Sequence, residues 1–97
     1  MEFEIYTVHD ETIGLYNRPI YMRNTAEALR MFEDVASDPN HPIGQHPEQY
    51  VLYKIGTWHE PSGTIMTEER QHIARGSDFA SVQAQHQPQL VSPNAQP

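Results

Sequence analysis

Asn24-Thr25-Ala26-Glu27-Ala28-Leu29-Arg30-Met31-Phe32-Glu33-Asp34-Val35-Ala36-Ser37 is the stretch whose reading decides the fold. Asn24 is a favoured N-cap, and Glu27, three residues on, stands where a capping-box glutamate reaches back to the cap's own N–H. Ala28, Leu29, Phe32, Val35 and Ala36 follow the 3, 4 and 7 spacing of one helical face. Asp38-Pro39 stops the helix near Ser37. The spacing therefore predicts an amphipathic helix of about three to four turns, with an apolar stripe that needs a sheet to lie on.

The sequence on either side supplies that sheet. Residues 2–8 alternate, with Phe3 and Ile5 on one face and Glu2 and Glu4 on the other, which is a half-buried strand. Asp10-Glu11-Thr12-Ile13-Gly14 reads as a turn, and Arg18-Pro19-Ile20-Tyr21-Met22 as an edge strand or extended connector. Residues 38–47 hold three prolines and one glycine and read as a long loop. Tyr50-Val51-Leu52-Tyr53-Lys54-Ile55 is β-branched and aromatic, the best strand in the chain. Pro61-Ser62-Gly63 turns it into a second arm, Thr64-Ile65-Met66-Thr67, and Arg70 to Ala74 is expected to add a last short strand. The fold class expected is α+β: a small antiparallel sheet with one amphipathic helix packed on it.

Composition sets limits on that domain. The chain has 97 residues, enough for one small domain, and apolar residues make up 37%, so the core is thin. Every charged side chain lies at or before Asp78. After it come Gln83, Gln85, Gln87, Gln89 and Gln96, with Pro88, Pro93 and Pro97. We expect a folded domain over 1–79 and a disordered Gln/Pro-rich tail over 80–97, because too few apolar groups remain there to offset chain entropy. So small a core, with no cysteine to staple it, makes self-association into a homodimer the expected remedy. No apolar run is long enough for a transmembrane helix, and the acidic start Met1-Glu2-Phe3-Glu4 is unlike a signal peptide. A soluble intracellular protein without membrane contact is the expectation. The formal charge of -7 argues against a broadly basic nucleic-acid footprint.

Chemistry-bearing patterns are sparse. No serine sits in a Gly-x-Ser-x-Gly context and the glycines are scattered, so neither a nucleophile elbow nor a phosphate loop is expected. The protein is expected to be nonenzymatic, with no cofactor. His41, His46 and His59 are candidates for zinc, but their spacing is not that of a helical pair; shaping of the loop by His41-Pro42 and His46-Pro47 is the favoured reading. Single-strand binding needs aromatic platforms beside positive charge. Tyr16, Arg18, Tyr21 and Arg23 form the one basic, aromatic patch in the sequence, with Trp58 at a strand end as either core or platform. Against this stands the reading that Tyr21 is core and the arginines pair with carboxylates.

Three quoted runs carry a family resemblance. They are Asn24 to Phe32 (Asn-x-x-Glu-Ala-x-Arg-x-Phe), Asp38 to Tyr50 (Asp-Pro-Asn-His, then Gly-x-His-Pro-Glu-x-Tyr), and Leu52-Tyr53-Lys54-Ile55-Gly56. Over roughly residues 3–78 the chain resembles the small nonstructural protein of gokushoviruses, single-stranded-DNA bacteriophages of the Microviridae. The family's Thr-Gly style turn falls where this chain has Glu60-Pro61-Ser62-Gly63-Thr64, and the chain departs from an easy DNA-binding picture in its charge of -7. The resemblance implies a protein made in the cytoplasm of the infected bacterial host and absent from the virion. It implies a role in phage DNA replication, by binding single-stranded DNA or assisting the switch to single-stranded genome synthesis, with the replication initiator as a further partner. It supplies no catalytic residue. The alternative is a protein–protein adaptor that never touches DNA and docks through the motif loop, with Asp38, Asn40, His41, Gly44, His46, Pro47 and Tyr50 as its marked residues.

Overall fold

The computed structural model describes residues 2–79, and the tail expected to be disordered, residues 80–97, lies outside the described residues. The element order is β1 (Glu2–Asp10), β2 (Leu15–Tyr16), β3 (Ile20–Met22), α1 (Thr25–Ala36), α2 (Pro42–Gln45), a 3-10 turn (Pro47–Gln49), β4 (Tyr50–His59) and β5 (Thr64–Arg75). The strands form one antiparallel sheet in the order β2-β1-β4-β5, and β3 pairs with β1 as well. Gly14 and Gly63, with φ of 72° and 66°, close the β1–β2 and β4–β5 hairpins in the left-handed region that suits glycine.

The period-two pattern of β1 turns Tyr6 and Val8 toward the helix. There they join Leu52 of β4 and Ala74 of β5 against Ala28, Phe32 and Ala36 of α1 and Ile43 of α2. Phe32 is fully buried, and Phe79 meets it edge-on with ring centroids 6.0 Å apart. A fully buried Phe is worth about 3–5 kcal/mol against Ala, a large share for a domain of this size. Leu29 and Val35 flank the same stripe half-buried, so the helical face is the one the spacing predicts.

Three local features differ from the sequence reading. Asn24 caps α1 through its Oδ1, which accepts from the Glu27 N–H at 2.8 Å. The Glu27 carboxylate, however, accepts from the backbone N–H of Arg23 at 2.9 Å, one residue before the cap, because the Arg23 guanidinium draws it there. The long loop is not structureless: His41 Nδ1 accepts from the Ile43 N–H at 3.1 Å and Pro42 occupies the first helical turn, which makes α2 and buries Ile43. The two short strands expected at 64–67 and 70–74 are one continuous strand, β5, whose pairing with β4 shifts register twice. The charged run Glu68-Glu69-Arg70 falls where Lys54 and Gly56 oppose Gln71 and Thr67, so the extra residues are taken up as a bulge.

A polar network pins the start of α1 to the sheet. The buried Tyr6 phenol donates to Glu4, and its oxygen lies 2.8 Å from Thr25 Oγ1. Lys54 Nζ sits 3.7 Å from both Glu4 and Glu68, and Thr57 Oγ1 donates to Glu68 at 2.7 Å. Burial, and then the hydrogen bond to the Glu4 carboxylate, push the phenol of Tyr6 up to about 12.

Candidate nucleic-acid interface

The helix covers one face of the sheet only. Alternation in β1 puts Phe3, Ile5, Thr7 and His9 on the other face, and cross-strand partners share a face. The register therefore groups Phe3 with Trp58 and Ile65, Ile5 with Tyr21 and Gly56, Thr7 with Tyr53 and His72, and His9 with Tyr16, Val51 and Arg75. None of these paired positions is a carboxylate. Glu4, Glu27 and Glu68 are engaged around the helix side or its cap. Glu11 stands at the rim of the aromatic face, where the Arg75 guanidinium hydrogen-bonds it at 2.8 Å and holds its carboxyl below the usual range.

The aromatic side chains fall into two groups. At one end Tyr21 meets Trp58 edge-on, centroids 6.3 Å apart and planes at 81°, and with Phe3 they line a depression of about 330 Å³. At the other end Tyr16 stacks on His9 at 4.2 Å, Tyr53 leans against both at 6.3 Å, and His72 meets Tyr53 edge-on at 5.8 Å. The Arg70 guanidinium lies over both tyrosines, 4.6 Å from the Tyr53 centroid and 5.4 Å from that of Tyr16. No carboxylate pairs with Arg70 among the described residues. Between the two groups Ile5 and Thr7, each 3% exposed, form a closed floor. Tyr16 and Tyr21 are 43% and 48% exposed, so the rings lie open to a ligand.

Of the residues singled out in the sequence, Tyr16, Tyr21 and Trp58 therefore share this face, with Tyr21 exposed rather than in the core. Arg18 and Arg23 do not join them. Arg23 holds Glu27 at 3.1 Å beside the α1 cap, and Arg18 lines a groove on the helix side with Val8, Met31, Val35 and Ile43. The charge on the face is Arg70, with His9, Tyr53 and His72 around it. Sequence reasoning missed these four; His72 reaches this face only because β5 shifts register against β4 on either side of it, so strict alternation from Ile65 would not have found it.

The motif loop is spent on the fold. Asp38 Oδ1 accepts from the Asn40 N–H, the Asp38 carbonyl accepts from the His41 N–H, and the His46 carbonyl accepts from the Gln49 N–H. Gly44 has no room for a side chain, since a Cβ there would stand 1.8 Å from the Asp38 carbonyl oxygen. Pro47 backs directly onto Gly76, and Tyr50 packs on the core, where burial pushes its phenol up. His41 caps α2 and His59 hydrogen-bonds Ser62 in the β4–β5 turn at 2.7 Å. Among the described residues no three His, Cys, Asp or Glu side chains come together as a metal would need.

A family model described as "Phage ORF5 protein" matches residues 3–79. No curated protein and no solved structure matches the chain.

Proposed function

The chain belongs to the phage ORF5 protein family, and from that membership together with the open aromatic face we propose a nonenzymatic accessory role in phage DNA replication, exercised by binding single-stranded DNA. The resemblance of the helix and loop motifs to gokushovirus nonstructural proteins supports a Microviridae origin and a role in the switch to single-stranded genome synthesis in the host cytoplasm. The observation that carries the reading is the row of rings on a sheet face, Tyr16 and Tyr21 exposed and Phe3, Tyr53 and Trp58 half-buried, with Arg70 over two of them and no carboxylate at a paired position. Bases stack on such rings without sequence preference. The net charge of -7 is met locally: no carboxylate occupies a paired position on this face, and the Arg70 guanidinium stands on it. The adaptor reading through residues 38–50 draws less support, because Asp38, His41, Gly44, Pro47 and Tyr50 make contacts within the fold and, of the motif residues, Asn40 and His46 are exposed.

Few phosphate contacts make binding modest and weakly salt-dependent. One to two contacts correspond to a slope of about -0.7 to -1.4 in log K against log salt for a single strand. Anisotropy of a labelled oligothymidylate tests this. We expect saturable binding with Kd of about 10–100 μM at low salt and a shallow salt slope. No binding with protein at several hundred micromolar under those conditions refutes the DNA-contacting role.

A further inference from the structure

We propose that the aromatic face holds two separate base-stacking stations, Phe3/Tyr21/Trp58 and Tyr16/Tyr53, with Arg70 taking the phosphate at the second, so that a strand must span both to bind well. The inference rests on the single-stranded-DNA reading and adds to it a site geometry, a minimum ligand length and a phosphate contact.

The two stations are distinct because the floor between them carries no ring. Ile5 and Thr7 are closed off, and each aromatic group makes ring contacts only within itself among the described residues. Tyr21 stands level with Ile5 and Tyr16 level with His9, four residues along β1, which is about 13 Å at the strand rise. Trp58 stands level with Phe3, six residues from His9, or about 20 Å. A stacked strand advances about 3.4 Å per nucleotide, so about four nucleotides reach from the near edge of one station to the other and about six cover both.

The depression at the first station, about 330 Å³ and walled by three rings, takes a base by its flat faces and offers no ionic contact. The second station differs. Its guanidinium already rests on two ring faces and keeps its donors free of carboxylates among the described residues. Held there, the guanidinium offers a strand its own plane for a base and its N–H donors for a phosphate. The first station contributes contact area and the second contributes both area and charge.

Titrating oligothymidylates of two, four, six and eight nucleotides by competition against a labelled strand tests the inference on the full chain. Affinity is expected to rise at least tenfold between the dimer and the hexamer and to level off by the octamer. Trp58→Ala and Tyr53→Ala are each expected to lower hexamer affinity about 5- to 150-fold while leaving the dimer within a few-fold. Trp58→Phe keeps a ring and serves where the Ala variant loses its fold. Arg70→Ala is expected to reduce the salt slope by about 0.7, which loss of packing alone does not do. Binding whose affinity does not depend on length, or is unaffected by the station variants, overturns the two-station proposal and leaves the DNA reading standing. Absence of binding at every length overturns both.

Discussion

Replacing Tyr6 by Phe tests the polar network that ties α1 to the sheet, and the structure gives the effect a definite pH signature. The phenol is buried, donates to Glu4 and lies 2.8 Å from Thr25 Oγ1. Tyr6→Phe leaves those partly buried partners short of one bond each, at a cost of about 1–3 kcal/mol near neutral pH. The pH dependence follows from the shift of the phenol from 10.0 to about 12. The folded state favours the neutral phenol, so this contribution is fully present below pH 10 and is lost as pH rises through about 12. The loss reaches about 1 kcal/mol by pH 11 and about 3 kcal/mol above the folded value. Urea unfolding of both proteins at matched pH, followed by far-UV circular dichroism, isolates the effect, because every other titrating group is common to the pair. The wild type is expected to lead at pH 8 and to have that lead cut by about 1 kcal/mol at pH 11. A gap that stays constant from pH 8 to 11 would refute the assignment of a buried, carboxylate-bound phenol.

Asn24→Ala removes the side chain that accepts from the Glu27 N–H and is expected to cost about 1 kcal/mol, recovered by Asn24→Ser, as read by the urea midpoint. Gly44→Ala drives a Cβ to 1.8 Å from the Asp38 carbonyl, so a loss of at least about 1–3 kcal/mol is expected in thermal or urea unfolding. A variant as stable as wild type would show that the loop does not pack on the end of α1 as described.

The helix was legible because its signals are local: a cap, a 3.6-residue stripe and a proline stop all lie within sixteen residues of Asn24. The helix-facing side of β1 was not legible in the same way: alternation marks Phe3 and Ile5 as the apolar face, yet Tyr6 and Val8, on the Glu4 side, meet α1. The continuity of β5 was hidden because Glu68-Glu69-Arg70 breaks the period, and a bulge that absorbs such a run is fixed by the partner strand rather than by the run itself. That missed continuity also concealed Arg70, whose place over Tyr16 and Tyr53 depends on three strands meeting. Arg18 and Arg23 illustrate the converse. They flank Tyr21 in sequence, yet the entry into α1 ties Arg23 to Glu27 and the bend before β3 carries Arg18 to the helix side. The loop motif lies within the stretch that matches a phage protein family, and in the fold its Gly44 and His41 serve close packing and a helix cap.

The central claim is that the sheet face opposite α1 binds single-stranded DNA, and the chain's single tryptophan stands on that face. Trp58 emission therefore reports from the site itself, without a label. Titration with an unlabelled oligothymidylate of eight nucleotides is predicted to quench it saturably, over the same concentrations that shift the anisotropy of a labelled strand. Emission that stays unchanged while the labelled strand is bound would place the DNA elsewhere on the protein and contradict the account.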